Sequence, residues 1–153
     1  MRLVVQRVSR ATVRVGGQSV GSIGAGAVVL VGIGVGDAAE LVDRMADKLL
    51  GLRYFEDGAG RTNRSIGEAG GAFLVISQFT LHADVRHGRR PGFTTAAAPE
   101  VAEPLVERFA ARLRDTGHVV ATGVFGASMA VELVNEGPFT LVFDSEHDLA
   151  GGD

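Results

Sequence analysis

The chain reads as an α/β protein of the mixed α+β kind, built on a strongly curved, barrel-like mixed β-sheet with two helices packed on one face. Three observations predict this. Residues 27–35 and 72–79 are near-continuous apolar runs rich in valine or bounded by glycine, as strands covered on both faces are. Near the start, Ala11, Val13 and Val15 alternate with Thr12 and Arg14, the period of a strand with one wet face. Only two segments repeat apolar residues at helical spacing. Two helices cannot cover both faces of a large sheet, so the second face must close on itself or meet a partner surface.

Taken in order, Gly16-Gly17 is a two-residue hairpin turn, leading into a strand over residues 19–23. The apolar run 27–35 is the third strand. Asp37 with Glu40 three residues later has the form of a capping box, and Leu41, Val42, Met45, Ala46, Leu49 and Leu50 follow along one helical face to Gly51. Residues 53–55 make a short strand before the turn Asp57-Gly58-Ala59-Gly60. Residues 72–79 form the second fully apolar strand. Pro99 suits a first helical position, with Val101, Leu105, Phe109 and Leu113 every four residues and Arg112, Arg114 and Gly117 at the far end. Residues 129–134 and 139–143 read as two strands joined by a turn at 135–138. One domain spans 1–145, and 146–153 is a short, polar, flexible tail.

Composition narrows the chemistry. The chain has 153 residues and no cysteine, which removes disulfides, thiolate nucleophiles and Cys-ligated zinc. Its 15 basic and 18 acidic side chains leave a net charge of -3, against a surface coated in non-specific nucleic-acid affinity. Arg86, His87, Arg89 and Arg90 nevertheless form a local basic patch, and Arg61 with Arg64 a second candidate. No apolar run approaches the roughly 18 residues of a membrane span. No basic region followed by a long apolar stretch opens the chain. A soluble cytoplasmic protein is expected.

Four constellations compete for the site. Gly32-x-Gly34-x-Gly36 sits between a strand and a helix but has one residue too few before its third glycine for a dinucleotide fingerprint, so packing and turning are its expected roles. His82-x-Asp84-x-x-His87 holds metal-ligand residue types without a third histidine nearby, and no metal or other cofactor is expected. Ser77-Gln78-Phe79-Thr80 ends an apolar strand, where hydroxyls, an amide and backbone N–H groups could hold a carbonyl and its developing oxyanion. The same hydroxyls could merely satisfy local backbone, or one could be a nucleophile, although no histidine base is evident. Gly137-Pro138 by itself is an ordinary turn, since few X-Pro bonds are cis.

Ser77-Gln78-Phe79-Thr80 and Asn135-Glu136-Gly137-Pro138-Phe139-Thr140 together resemble the two signature motifs of the D-aminoacyl-tRNA deacylases, the D-Tyr-tRNA deacylase family. Gln6-Arg7-Val8, Gly70-Gly71 and Arg90-Pro91-x-Phe93 fall in that family's order, and the likeness covers residues 1–145. Serine at 77, where a related achiral-tolerant branch carries proline, resembles the bacterial-type enzymes. The resemblance implies a homodimer of this fold that hydrolyses D-aminoacyl-tRNA, with Ser77, Gln78, Phe79 and Thr80 as the catalytic segment. It implies that Gly137-Pro138 is cis, directs its carbonyls into the other subunit's site, and is fixed from beneath by Arg7. Arg86, Arg89 and Arg90 would hold the acceptor end of tRNA through phosphates, with no protein nucleophile required. Phe139 stands where many relatives carry valine.

Such an enzyme must read handedness while accepting many side chains, so it has to grip the ammonium and Cα with rigid backbone and wall off one side. An L-residue would clash, whereas glycine would slip through, so glycyl-tRNA is an expected second substrate. The rival readings are a non-catalytic dimeric RNA-binding protein of the same fold and a small-molecule serine or threonine esterase.

Overall fold

The computed structural model describes residues 1–149. One six-stranded sheet carries the fold. Strand β1 (Arg2–Val15) pairs antiparallel with β2 (Gln18–Ile23), β3 (Gly26–Gly32) and β8 (Ala130–Asp144), while β6 (Ala72–Ser77) lies parallel between β3 and β7 (Val120–Thr122). A separate two-stranded sheet joins β4 (Arg53–Glu56) to β5 (Thr62–Ser65). The long helices are α1 (Ala39–Gly51) and α3 (Pro99–Asp115), and α2 (Ile66–Ala69) and α4 (Ser145–Asp148) are single turns.

The two apolar strands are buried on both faces. Ala27, Val29 and Val31 of β3, with Phe73 and Val75 of β6, pack under Val42, Met45 and Leu49 of α1 and Phe109 and Leu113 of α3. On the opposite face Val28, Leu74 and Ile76 meet Val8, Ala11, Val13 and Ile23. That second core exists because β2 curls over β6 and β7, so closely that a Cβ at Gly21 would stand 2.7 Å from the Thr122 carbonyl oxygen. The sheet is therefore barrel-like, with both long helices outside on one face. Arg108 and Arg112 of α3 each grip an aspartate of α1, Asp43 and Asp47, on two nitrogens.

Strand β1 serves both cores. Leu3 and Val5 face the helices, but the pairing of β1 with β8 slips near Val8, after which Ala11 and Val13 face the inner core. An irregularity of one residue reverses which face a strand buries.

Three local expectations change. Asp37 does not cap α1: the N-cap is Ala38, without a side-chain cap bond. Its carboxylate instead accepts from the Met1 amino group at 2.9 Å and the Gly34 N–H at 2.6 Å. A buried ammonium takes a carboxylate in preference to a helix terminus that water can reach. Strand β6 stops at Ser77, two residues early, because Phe79–His82 folds into a 3-10 turn. And residues 129–143 are not two strands about a hairpin but the single strand β8, both halves of which pair with β1. Of the expected tail, Ser145–Asp148 form α4, and 150–153 lie outside the described residues.

Candidate functional site

The Ser77-Gln78-Phe79-Thr80 segment is held from below by glycines. Strand β6 delivers Ser77 opposite Val31, and the Gln78 N–H extends the ladder to the Val31 carbonyl at 2.7 Å. The chain then turns across the end of β3, where a Cβ at Gly32 would stand 3.0 Å from the Gln78 carbonyl oxygen and 2.9 Å from Leu81 Cβ. Gly32 and Gly34 of the spurious nucleotide motif thus make room for the turn and for the His82 ring.

Leu81 N–H closes onto the Gln78 carbonyl at 3.3 Å, while the N–H groups of Phe79 and Thr80, at the head of the turn, have no acceptor within it. The Gln78 amide donates to the Thr80 hydroxyl. Phe79 is 56% exposed and its ring meets Phe93 edge-on at 5.0 Å.

Ser77, Gln78 and Phe79 line a cleft of about 580 Å³, whose other walls include Ile33, Phe93, Phe125 and Met129. An apolar cleft of this size with a few convergent polar groups suits a small organic group such as a nucleoside. No histidine is hydrogen-bonded to either hydroxyl among the described residues. His82 is buried, with Nε2 on the Gly32 carbonyl oxygen at 3.1 Å, and Asp84 bonds Arg86, so His82 and Asp84 are engaged in packing and an ion pair, while His87 is exposed.

Gly137-Pro138 lies in a bulge of β8. Gln6 pairs with Thr140 and Val8 with Asn135, leaving residues 136–139 opposite Arg7 alone. The peptide bond is cis, and Gly137 has φ +132°, which suits glycine. Asn135 ties the bulge shut: its Oδ1 accepts from the Phe139 N–H at 2.9 Å and its Nδ2 donates to the Thr140 hydroxyl at 2.9 Å.

Arg7, only 7% exposed, lies beneath, with Nε donating to the Glu136 carbonyl at 3.1 Å and Nη1 to the Tyr54 carbonyl at 2.9 Å. Glu56 approaches Nη2 at 3.7 Å. Arg7 therefore bonds the carbonyl just before the Gly-Pro pair, and is not an exposed edge-strand charge. Sequence reasoning assigned no role to Asn135, Tyr54 or Glu56. The first was visible inside the Asn-x-Gly-Pro motif, whereas the other two reach Arg7 only through tertiary folding.

The basic loop stands apart from both. Asp84 and Gly92 exchange backbone hydrogen bonds at 2.8 Å, and three nitrogens of Arg86 converge on the Asp84 carboxylate. Those bonds from Arg86 pull the Asp84 carboxyl down to about 2. Arg89 and Arg90 are exposed and carry no ion pair among the described residues. The second basic pair is partly neutralised, Arg61 lying 3.8 Å from Asp57 and Arg64 donating to the Glu68 carbonyl.

Within one chain, then, the two motifs do not meet: Arg7, Gly137 and Pro138 are absent from the cleft lining. Strand β8 pairs with β1 along one edge and with no strand along the other among the described residues, and its Val131, Val134 and Val142 are exposed. Val131 belongs to the cleft wall as well.

Comparison with known proteins matches this chain to a family. A family model described as D-Tyr-tRNA(Tyr) deacylase matches residues 4–144. The D-aminoacyl-tRNA deacylase of Symbiobacterium thermophilum is 60% identical over 146 residues, covering 95% of this chain and 97% of the relative. That of Roseiflexus sp. (strain RS-1) is 56% identical over 145 residues, covering 95% and 94%. A solved structure of a c-Myc DNA Unwinding Element Binding Protein superimposes with a TM-score of 0.89 at 39% identity, covering 94% of this chain and 98% of that one.

Proposed function

The chain belongs to the D-Tyr-tRNA(Tyr) deacylase family, and we propose from that membership that it hydrolyses the ester joining a D-amino acid to the terminal ribose of a tRNA. The products are free D-amino acid and reusable tRNA, and the substrate sets its place of action in the cytoplasm. The observation that carries the reading is the 3-10 turn at 79–82, headed by the Phe79 and Thr80 N–H groups, with Ser77, Gln78 and Phe79 lining the apolar cleft beside it.

The terminal nucleoside enters the cleft, where Phe93 and Phe125 offer aromatic faces to its base. The ester carbonyl then lies against the Phe79 and Thr80 N–H groups. Water adds its hydroxyl to the carbonyl carbon, those two donors stabilise the tetrahedral oxyanion, and the bond to the ribose oxygen breaks as that oxygen takes up a proton. The adjacent ribose 2'-hydroxyl of the substrate assists the proton movement. Ser77 and Gln78 set the turn, and Thr80, bonded to Gln78 and without a histidine partner, supplies its N–H and no nucleophile.

Chirality is read by a second copy of the chain. The Gly137-Pro138 bulge, fixed by Arg7, presents its carbonyls to the substrate ammonium in the partner's cleft, and its wall excludes an L side chain while admitting glycine. The separation of the two motifs within one chain and the exposed valines and open edge of β8 both support a homodimer. Arg89 and Arg90, with Arg86 held on Asp84, meet the tRNA backbone near its acceptor end.

The test is hydrolysis of matched D- and L-aminoacyl-tRNA carrying one amino acid. Rapid loss of only the D ester is expected. Equal loss of both would indicate an unselective esterase, and binding of tRNA without loss of either ester would indicate a non-catalytic RNA-binding protein. Either of those results overturns the proposal.

A further inference from the structure

We propose that Phe139 is a positioning residue for Arg7, and that its ring, more than the nearby carboxylate, keeps the guanidinium where it can fix the Gly137-Pro138 bulge. The guanidinium carbon lies 4.8 Å from the Phe139 ring centroid. The ring is in turn stacked on Tyr54, centroids 6.4 Å apart and planes 24° apart, and Tyr54 packs on Phe55 at 4.7 Å.

The Phe139 ring thus contacts both the guanidinium and the Tyr54 ring. Tyr54 closes the arrangement through its backbone, since its carbonyl accepts from Arg7 Nη1 at 2.9 Å. Phe139 is anchored through its own N–H, donated to Asn135 Oδ1 at 2.9 Å. A single residue thus joins the bulge, the aromatic pair of β4 and the buried cation.

The competing partner is Glu56, but its side chain is 61% exposed and its oxygen is 3.7 Å from Nη2, so water screens the pair. Arg7 itself is buried, and there a cation over an aromatic face is at its strongest. The alignment matters because Arg7 touches the bulge at two places. Its Nε bonds the Glu136 carbonyl at 3.1 Å, and Nη2 lies only 3.0 Å from where a Cβ of Gly137 would stand. A guanidinium free to rock about its two hydrogen bonds would release both restraints, and the wall that rejects L-residues would soften.

The consequence for selectivity rests on the deacylase reading; the consequence for Arg7 does not. The first measurement is hydrogen exchange at the Arg7 Nε–H by NMR, with the resonance assigned through its loss in R7K. Phe139→Leu is expected to speed that exchange about tenfold or more, with Phe139→Trp, which keeps a ring, close to wild type. Phe139→Met is the second variant should the leucine protein fail to fold.

In turnover, F139L is expected to lower the ratio of D- to L-aminoacyl-tRNA hydrolysis about tenfold, chiefly through the L rate and with KM for tRNA unchanged, the loss of roughly one desolvated cation–aromatic contact. E56Q is expected to change either readout less than twofold. Unchanged Arg7 exchange in F139L or F139M would overturn the proposal, as would an E56Q effect equal to theirs. If wild-type protein hydrolyses neither ester, the deacylase reading fails alone, and the exchange result still decides whether Phe139 holds Arg7.

Discussion

Replacing Gly32 with alanine should slow catalysis without altering the identity of any residue in the turn proposed to bind the oxyanion. The new methyl would stand 2.9 Å from Leu81 Cβ, 3.0 Å from the Gln78 carbonyl oxygen and 3.2 Å from His82 Cδ2. Carbon atoms pack at about 3.5 Å or more, so the turn must retreat by about half an ångström. No side-chain rotation relieves this, because one contact is backbone and the His82 ring is itself bonded to the Gly32 carbonyl at 3.1 Å.

Overpacking of this kind costs about 1–3 kcal/mol. For a chain of this size each kcal/mol moves Tm by about 2–4 °C. The retreat also carries the Phe79 and Thr80 N–H groups with it, while Phe125 and Met129 across the cleft stay in place. A misplacement of about 1 Å can cost about 100-fold, so half that distance lowers kcat about tenfold.

The assay is single-turnover hydrolysis of D-aminoacyl-tRNA beside thermal melting, with Gly58→Ala, where nothing lies within 4 Å of the added Cβ, as the control. A folded G32A protein with wild-type kcat would refute the reasoning, since the close approach of β3 would then not be what sets the turn.

Four further outcomes are expected. Tyr54→Phe removes a buried hydroxyl with no hydrogen-bond partner among the described residues, so Tm should hold or rise; a fall of several degrees would show that the hydroxyl is bonded. Burial pushes the Tyr54 phenol up, so the folded state keeps a proton that the unfolded chain releases near pH 10. Stability should therefore decline as pH rises past about 10, and less steeply in Y54F. The Asp84 carboxyl, pulled down to about 2 by Arg86, contributes stability that is present above its ordinary value of 3.8 and is lost as pH falls through about 2. Hydrogen exchange of the Asp84 and Gly92 amides should stay protected to that pH in wild type but not in D84N. Arg89→Ala and Arg90→Ala should each flatten the dependence of log KM for tRNA on log salt by about 0.7 to 0.9 and leave the D-to-L ratio alone. An unchanged slope in the double variant would remove this loop from the tRNA contact.

Much of the fold was legible because its signals are local. Gly16-Gly17 makes the two-residue hairpin, with φ +56° and +81°, and both long helices follow their apolar period. The strands at 27 and 72 are buried on both faces, as continuous apolar runs require. Short elements were harder: β7 has three residues, too few to show a period, and β5 is wholly polar except for its company. Before α2 the sequence does carry a capping box, Ser65 with Glu68, and a left-handed Gly70 behind it, but over four residues no apolar repeat marks the helix between them.

The sequence by itself therefore determined the strands, the long helices, the two motifs and the glycine-lined end of β3, all readable within a few neighbouring residues. Tertiary structure alone decided how each motif is held. Asn135 to Pro138 has the same turn chemistry in a hairpin as in a bulge, and only pairing of both flanks with β1 makes it a bulge. Asp37 could have capped a helix until the Met1 amino group, distant in sequence, claimed its carboxylate. Arg7 acquires its buried setting in the same way, because its partners Tyr54, Glu56, Glu136 and Phe139 lie about fifty and about 130 residues away along the chain, and no local pattern encodes contacts at that separation.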